Sequence, residues 1–253
     1  MILNMGDNTV LITGGATGIG FALAEAFAQE GSEVILCGRR RSKLQQAKTK
    51  IPRAQVRKCD VSVESERKRL LHWTTTNFPR LDMLVNNAGI QRQVDFTSPM
   101  IAKRTLPADD ELAINLEAVI RLCALFAPKF MVKKRAAIVN ISSGLAFVPI
   151  AEMPIYCATK AAIHSFTTSL RHQLRDTSVR VFEAIPPTTD TELDASFAGS
   201  KEEAYRGVTP QEVAAAIIDG LKEDKQEIVI GQAQGLQKAA MKDPQLIFNQ
   251  LNN

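Results

Sequence analysis

The chain has 253 residues, of which 45% are hydrophobic and 23% charged, and its formal net charge is +4. These proportions are those of an ordinary soluble globular protein, and no basic run is interleaved with aromatic residues, which argues against a nucleic-acid partner. The four cysteines form no C-x-x-C pair and are expected to be free thiols in a reducing compartment. The sequence shows neither a charged leader followed by an apolar stretch nor a run of about 18 apolar residues, so we expect a cytoplasmic protein that does not bind a membrane.

Apolar, β-branched runs alternate with segments of helical periodicity along the chain. Strands are predicted at residues 8–13, 33–37, 54–58, 81–85, 136–141, 178–184 and 227–230. Helices are predicted at residues 21–30, 42–50, 62–77, 109–134, 154–176 and 210–221, with a helical tail at 235–253. Such alternation with short connections specifies a parallel sheet with helices on both faces. We therefore predict a doubly wound α/β fold of the Rossmann type, in which residues 1–253 form a single domain around a seven-stranded parallel sheet.

Three parts of this pattern are irregular. Pro128 lies inside the predicted helix at 109–134 and is expected to kink or break it. Residues 90–107 have no clean period and are predicted to form a loop with at most one helical turn. Residues 188–208 are polar and are predicted to be irregular.

A glycine-rich turn joins the first strand to the first helix. Its sequence, TGGATGIG at residues 13–20, has the spacing Gly14-x-x-x-Gly18-x-Gly20. Glycines at this place let the backbone approach a pyrophosphate, and the free N–H groups at the start of a helix favour an anion. An ordinary tight turn would also contain glycines, but the strand–turn–helix context favours a dinucleotide site at Gly14, Thr17, Gly18, Ile19 and Gly20.

The end of the second strand indicates which dinucleotide is bound. Rossmann folds usually place Asp or Glu there to bind the adenosine ribose, but this chain has Gly38 followed by Arg39 and Arg40. A missing carboxylate leaves room for a 2′-phosphate, which a guanidinium binds well. The alternative is that the arginines merely solvate the start of a helix; the sequence favours NADP over NAD. After the third strand, Asp60 and Val61 are expected either to hold the adenine or to cap the next helix.

Tyr156 and Lys160 are the candidate proton-transfer residues. Their spacing of four places both side chains on one face of a helix, one turn apart. An adjacent ammonium favours the ionised phenol, which makes the tyrosine a plausible proton donor and acceptor. Ser143, on the turn after the fifth strand, can present a hydroxyl to the same reacting oxygen. The alternative is a surface tyrosine on a helix that also carries a lysine, because this spacing is common by chance.

The histidines predict no metal site. His72, His164 and His172 are separate in the sequence, and no cluster of His with carboxylates has the spacing of metal ligands. We interpret all three as ordinary helix residues.

Taken together, the motifs resemble the short-chain dehydrogenase/reductase family in its classical form, over residues 8 to about 231. The matching motifs are TGGATGIG at 13–20, DV at 60–61, NNAG at 86–89, Asn115, Ser143 and YCATK at 156–160. More narrowly, the segments ISSGLAFVP, YCATKAAIHSF and SLRHQL and the Pro-Pro after the sixth strand are similar to a subgroup of oxidoreductases associated with operons for D-alanylation of lipoteichoic acid.

The resemblance implies further cofactor contacts beyond the glycine turn. These would come from Asn87, Ala88, Gly89, Tyr156, Lys160, Pro186, Thr189 and Thr191. The family usually has Pro-Gly before the segment that contacts the nicotinamide carboxamide, whereas this chain has Pro186-Pro187. Proline cannot adopt positive φ and lacks an N–H. The contacts of Thr189 and Thr191 with the nicotinamide are therefore expected to differ from those in the family, whereas Thr191 can still contact a phosphate.

The resemblance also implies the catalytic roles. Tyr156 would exchange a proton with the substrate oxygen, and Lys160 would lower the pKa of that phenol and bind the nicotinamide ribose. Ser143 would orient the carbonyl group, and Asn115 would hold a water molecule in a proton relay.

These roles predict an NADP(H)-dependent oxidoreductase that transfers a hydride between the nicotinamide and a carbonyl or alcohol. The Ala- and Ser-rich face of the helix at 155–176 and the long helix at 109–134 resemble the pair through which family members associate, which implies a homodimer or homotetramer. Residues 90–106, 145–155 and 188–208 should surround the substrate. Six apolar side chains in these segments would make the region apolar, which favours a small or medium, partly hydrophobic substrate: Leu145, Phe147, Val148, Ile150, Met153 and Phe197.

Two alternatives remain open for the function. One is a nucleotide-sensing or scaffold protein of the same fold with little catalysis, against which the complete set of Asn115, Ser143, Tyr156 and Lys160 argues. The other is a lyase or epimerase on a related fold, which is weaker because such relatives usually retain additional substrate-domain sequence.

Overall fold

The computed structural model describes residues 5–98, 108–191, 193 and 207–252. The strands are β1 (Thr9–Thr13), β2 (Glu33–Gly38), β3 (Gln55–Lys58), β4 (Leu81–Asn86), β5 (Ala136–Ile141), β6 (Val179–Ile185) and β7 (Glu227–Val229). The helices are α1 (Gly18–Gln29), α2 (Arg41–Lys50), α3 (Glu64–Asn77), α4 (Ala108–Glu111), α5 (Ala118–Phe130), α6 (Pro154–Leu174), α7 (Pro210–Lys222), α8 (Gln232–Lys242) and α9 (Pro244–Asn252). A π-helical segment, Leu112–Glu117, joins α4 to α5.

The seven strands form one parallel sheet in the order β3-β2-β1-β4-β5-β6-β7. The predicted doubly wound α/β fold with a seven-stranded parallel sheet is therefore confirmed. The register pairs Thr13 with Cys37 and Asn86 with Asn140, so the carboxyl ends of the central strands lie along one edge. The strand order reverses between β1 and β4, and folds of this class bind ligands outside that reversal.

Helices cover the sheet on both faces. In β1, Val10 and Ile12 pack with residues of α1 and α7, whereas Leu11 packs on the other face with residues of α3, α5 and α6. All five residues of β1 are buried. A strand that is buried on both faces has a continuous apolar sequence without alternation, as the β1 sequence TVLIT shows.

The helix predicted at 109–134 differs from the structure in two respects. A break at Pro128 is wrong: α5 contains this proline and ends at Phe130. Pro128 cannot donate a backbone hydrogen bond, but it lies so near the end of α5 that this bond is missing only at the end of the helix. The irregular part lies at the other end, in the π-helical segment, where each N–H pairs one residue further back than in an α-helix.

The remaining irregular segments agree with expectation where the structure describes them. Residues 90–98 form a loop, and within 188–208 Thr189 pairs with Val208 in an isolated parallel bridge. The expectations for residues 99–107 and 194–206, including Phe197, lie outside the described residues. The helical tail is confirmed by α8 and α9, and no helix in the described part of the chain is long and apolar enough to cross a membrane.

Candidate active site

The glycine-rich turn between β1 and α1 packs closely against the chain that follows β4. Gly14 and Gly18 have φ angles of 63° and 55°, which favour glycine. A Cβ atom at Gly14 would lie 2.9 Å from the Cα of Ala88, and one at Gly20 would lie 2.4 Å from Asn87 Nδ2. Because α1 begins at Gly18, its first N–H groups have no partner within the helix. The turn is therefore a cradle of amide donors that fits a diphosphate.

Asn87 and Ala88 are fixed by the end of β1. Thr13 Oγ1 accepts hydrogen bonds from the backbone N–H groups of Asn87 and Ala88, both at 3.0 Å. The Asn87 side chain donates to the carbonyl groups of Thr13 and Gly14, at 3.0 and 3.3 Å. The visible contribution of Asn87 is thus to hold the glycine turn in shape. Gly89 follows, and a Cβ there would lie 3.8 Å from Lys160 Nζ, which connects this turn to the candidate catalytic residues.

The two predicted arginines follow β2, beside the glycine turn. Arg39 and Arg40 are exposed, and the Arg40 guanidinium donates to Thr17 Oγ1 at 3.2 Å. A positive charge therefore lies next to the amide cradle. A Cβ at Gly38 would come within 4 Å only of Leu44, at 4.0 Å, among the described residues. The end of β2 thus combines open space with cationic groups, as a 2′-phosphate requires.

Asp60 and Val61 make local contacts at the entry to α3. The Asp60 carboxylate accepts hydrogen bonds from the backbone N–H and the hydroxyl of Ser62, at 3.0 and 2.6 Å. Val61 is buried, and its carbonyl accepts a hydrogen bond from Arg67 at 2.6 Å. These contacts form a local turn before α3, whose N-cap residue is Val63 without any side-chain cap, so the helix-capping alternative for Asp60 is wrong. Any contact of these two residues with an adenine remains a prediction.

Tyr156 and Lys160 lie in the first turns of α6, where the helix packs against the end of β5. Both are buried, each with 6% of its surface exposed, so the alternative of a surface tyrosine is wrong. Lys160 Nζ lies 5.5 Å from the centre of the Tyr156 ring and donates to the Ile141 carbonyl at 2.9 Å. Burial lowers the pKa of Lys160 to about 8, while the charge of Glu183 opposes this change.

Ser143 occupies the turn that links β5 to the segment before α6. Its Oγ accepts a hydrogen bond from the Leu145 N–H at 3.2 Å, which orients the side chain, and 9% of the residue is exposed. The Gly144 N–H donates to the Pro186 carbonyl at 3.0 Å. The serine turn is thereby joined to the segment after β6.

Asn115 lies in the π-helical segment and is almost completely buried. Its Oδ1 accepts from the Ile90 N–H at 2.9 Å, and its Nδ2 donates to the Ile90 carbonyl at 2.8 Å and to Thr159 Oγ1 at 3.2 Å. The side chain therefore fixes the start of the 90–98 loop against α6. These bonds use both donors of the amide but only one acceptor site of Oδ1, and the role of Asn115 in holding a relay water remains a prediction. π-Helical segments are frequent at functional sites.

The segment after β6 reaches the glycine turn through Thr191. A Cβ at Gly18 would lie 3.2 Å from Thr191 Cγ2, so this threonine lies beside the diphosphate cradle. Thr189 is buried and its hydroxyl donates to the Pro187 carbonyl at 2.9 Å. Thr191 therefore lies where a phosphate contact is possible, whereas the hydroxyl of Thr189 already serves the turn that follows the two prolines.

Apolar side chains line the approach to Tyr156. Met153, Tyr156 and Cys157 form a small buried cluster against which Leu145 and Ile150 pack. Of the other predicted lining residues, Val148 is buried and Phe147 is half-buried with its ring edge-on to His164 at 5.2 Å. The C-terminal tail borders this region, because a Cβ at Gly144 would lie 3.3 Å from Ala233 Cβ in α8 and the Asn252 side chain donates to the Pro149 carbonyl at 3.3 Å.

The interpretation of His164 as an ordinary helix residue overlooked its partner. His164 Nδ1 lies 2.9 Å from Glu183 Oε2, and Glu183 is completely buried in β6. Two signals were present in the sequence: a carboxylate inside an otherwise apolar strand, VRVFEAI, and a histidine one helical turn after Lys160. Glu183 raises the pKa of His164 through this hydrogen bond.

Comparison with known proteins agrees with this geometry. The sequence profile of the short chain dehydrogenase family matches residues 8–202. DltE, an uncharacterized oxidoreductase of Bacillus subtilis (strain 168), is 45% identical over 250 residues, which cover 99% of this chain and 98% of that protein. This relative confirms the narrower resemblance drawn from the sequence.

Two solved structures are similar over nearly the whole chain. A short-chain dehydrogenase from Sphingobium yanoikuyae in complex with NADPH has a TM-score of 0.79 and 26% identity, covering 93% of this chain and 96% of that one. A short chain dehydrogenase/reductase from Burkholderia phymatum in complex with NAD has a TM-score of 0.83, covering 100% and 98%, but its 20% identity speaks for the fold alone. With the match of the family profile to most of the chain, these findings show that the protein belongs to the short-chain dehydrogenase family of oxidoreductases.

Proposed function

We propose that this protein is an NADP(H)-dependent oxidoreductase that interconverts a small or medium, partly hydrophobic carbonyl compound and its alcohol. The observation that carries the proposal is the buried pair of Tyr156 and Lys160. The Lys160 ammonium lies 5.5 Å from the centre of the Tyr156 ring, and the pair lies at the same edge of the sheet as the glycine turn. A buried ammonium so close to a phenol favours proton exchange near neutral pH.

The chain's own residues fit the proposed cofactor. The amide donors of the glycine turn would hold its diphosphate, the cationic groups at Arg39 and Arg40 would hold a 2′-phosphate, and Thr191 would contact the phosphates from the other side. When bound, the nicotinamide supplies or accepts the hydride.

Proton transfer would then be the task of α6 and the serine turn. Tyr156 would donate its hydroxyl proton to the substrate oxygen during reduction. During oxidation, its phenolate would accept the proton of the substrate hydroxyl group. Lys160 would stabilise the phenolate, and Ser143 would donate a hydrogen bond to the substrate oxygen and so orient it. Asn115 would position the Ile90 segment and the adjacent main chain at the inner end of this path.

The substrate class follows from the surroundings of the phenol. Leu145, Ile150 and Met153 pack around Tyr156, so the nearest surface is apolar. A substrate that combines one carbonyl or hydroxyl group with a hydrocarbon body fits this surface, because the hydrocarbon body buries no polar group without a hydrogen-bond partner.

Replacement of Tyr156 by Phe tests the proton-transfer role. The change removes one hydroxyl, and we expect the rate of NADPH oxidation with a panel of aldehydes and ketones to fall by at least about 100-fold. Binding of NADPH, followed by its fluorescence, should change little. Turnover that survives this substitution would exclude Tyr156 as the acid, and unchanged turnover in a folded protein would overturn the mechanism.

A second experiment tests the choice of cofactor. Because a charge-assisted hydrogen bond contributes about 1.5–3 kcal/mol, Arg40→Ser should weaken NADPH binding by about tenfold or more. Binding of NADH, which lacks the 2′-phosphate, should be nearly unaffected. Arg53→Ser is the matched control, since it removes an exposed arginine beyond α2. Equal affinity of the wild-type protein for both cofactors would contradict NADP specificity.

The alternative of a nucleotide-sensing or scaffold protein makes a different prediction. Such a protein would bind NADPH and show no substrate-dependent oxidation of it with any carbonyl compound of the panel. The burial of Lys160 beside Tyr156 favours the enzyme, because a purely structural site has no need of a charged group in so apolar a place.

A further inference from the structure

A buried carboxylate lies on the far side of Lys160 from Tyr156 along α6. Glu183 is in β6, on the face of the sheet that α6 covers, and none of its surface is exposed. Its Oε2 is bonded to His164, while its Oε1 has no hydrogen-bond partner among the described residues. Burying a carboxylate with one oxygen lacking a hydrogen-bond partner destabilises the folded protein. The packing of β6 therefore gives no reason for a glutamate at this position.

The position of Glu183 relates it to the candidate catalytic pair. Tyr156, Lys160 and His164 follow one another at intervals of four residues, so they lie along one face of α6. Glu183 bonds to the third of these residues and acts electrostatically on the second, since its charge favours the ammonium form of Lys160. Lys160 Nζ donates to the Ile141 carbonyl, and Ile141 pairs with Ala184, the residue next to Glu183. The buried ammonium and the buried carboxylate therefore belong to neighbouring positions of β5 and β6 under α6, where each offsets part of the other's desolvation.

Two further charged residues, Glu227 and Arg171, lie near Glu183 on the side toward the protein surface. Glu227 lies beside Glu183 in the register of β6 and β7, and its carboxylate, that of Glu183 and the His164 ring lie within 4.8 Å of one another. Arg171, two turns beyond His164 on α6, forms an ion pair with Glu227 at 3.7 Å. The exposed carboxylate of Glu227 therefore has its own cation, whereas the basic groups that can offset the charge of Glu183 are His164 and Lys160.

We propose that Glu183 is a positioning residue that acts through Lys160: from β6 it supplies the negative charge that keeps this buried ammonium protonated, and His164 holds the Glu183 carboxylate in place. The role extends the proposed function, since a protonated Lys160 is what stabilises the phenolate of Tyr156. Glu183 itself would touch neither substrate nor cofactor. Loss of its charge would make Lys160 release its proton at a lower pH, so proton transfer would fail earlier as the pH rises.

The test measures Lys160 directly and needs no substrate. Protein labelled with ¹³C at the ε carbon of lysine is titrated by NMR, and the Lys160 signal is identified by its absence in Lys160→Arg. In the wild type we expect this signal to titrate near pH 8. In Glu183→Gln, which keeps the shape of the side chain and can still bond to His164, the Lys160 pKa should fall by about one pH unit.

Two further variants separate charge from packing. Glu227→Gln removes a carboxylate from the neighbouring strand that is exposed and paired with Arg171, so it should change the Lys160 pKa much less. His164→Gln leaves the charge of Glu183 in place, so the Lys160 pKa should not fall. A wild-type Lys160 pKa that Glu183→Gln leaves unchanged, or a fall in His164→Gln as large as that in Glu183→Gln, would overturn the proposal. Should Glu183→Gln fail to fold, Glu183→Asp retains the charge on a shorter side chain and must keep the wild-type pKa of Lys160 to within a few tenths of a pH unit.

An activity measurement then links this result to the reaction. The alkaline limb of the kcat profile should move to lower pH in Glu183→Gln by the same amount as the Lys160 pKa, while NADPH binding at pH 6.5 is retained. Failure of the proposed function would appear separately, as turnover that survives Tyr156→Phe, and would leave the NMR result unaffected.

Discussion

Asp82 offers a quantitative test of the electrostatics of this sheet. The residue lies in β4 near its amino-terminal end, only 9% of its surface is exposed, and its Oδ1 accepts a hydrogen bond from the Thr9 N–H at 3.0 Å. Burial raises its pKa from 3.8 to about 6, although the Thr9 hydrogen bond and the charges of Arg135 and Lys133 act in the opposite direction. The ionised form is thus less favourable in the folded protein than in the unfolded chain.

The sign and size of the effect follow from this difference. Because the pKa is raised on folding, ionisation of Asp82 lowers the free energy of unfolding as the pH rises from about 4 to about 6, and the loss is constant above that. A difference of about 2.2 pH units corresponds to at most about 3 kcal/mol. Asp82→Asn keeps an oxygen that can accept from Thr9 and cannot ionise. We therefore expect this variant to be more stable than the wild type at pH 7.5, by about half of that limit once screening by water is included.

Urea unfolding of both proteins at pH 7.5 and pH 5 measures the effect. With the same screening, the advantage of Asp82→Asn should shrink by about 0.7 kcal/mol at the lower pH, because the wild-type carboxyl is then largely protonated in the folded state. Asp219→Asn, an exposed change in α7, serves as the control and should shift stability by less than about 0.5 kcal/mol. An Asp82→Asn variant that is no more stable at pH 7.5, or whose advantage does not depend on pH, would refute the reasoning.

Two further predictions concern packing. Gly20→Ala would bring a methyl group to 2.4 Å from Asn87 Nδ2 and should lower stability by about 1–3 kcal/mol and remove most of the NADPH affinity. Gly235→Ala in α8 is the control, because a Cβ there would meet nothing within 4 Å among the described residues. In the same thermal and fluorescence assays this variant should be neutral or stabilising by up to about 1 kcal/mol. The exposed apolar side chains of Leu112 and Ile120, on the outer surface of the helical run before β5, are proposed to lie in a contact between copies of the chain. Light scattering should give a multiple of the 27.7 kDa chain mass for the wild type and a smaller assembly for Ile120→Glu; an equal mass for both would exclude this surface.

The parts of the fold that the sequence predicts well are those encoded by neighbouring residues. The run TVLIT, the glycines that follow it and the helical period after Gly20 are local signals, and each gave the correct element. Likewise the helix predicted at 210–221 agrees with α7, which starts at Pro210 behind a complete capping box between Thr209 and Glu212.

Other features depend on residues that only the tertiary fold brings together. The bond between His164 and Glu183 joins α6 to β6, and neither sequence segment reveals the partner. The side-chain bonds of Asn115 to Ile90 and Thr159 similarly need the packing of three segments. The π-helical segment has the same apolar spacing as an α-helix over so few residues, so periodicity places a helix there without giving its type. Pro128 misled for another reason, since its effect depends on how much helix follows it.

The distribution of the site over the fold also has an evolutionary consequence. Thr13, Tyr156 and Lys160 are held within strands and helices whose side chains are buried on several sides, so few substitutions are tolerated at these positions. The apolar residues around the phenol, such as Leu145 and Ile150, are on the connection between β5 and α6, and connections accept substitutions and insertions at lower cost. A lineage that carries this chain can therefore change the compounds it accepts by altering connections, while the proposed hydride and proton chemistry is inherited unchanged.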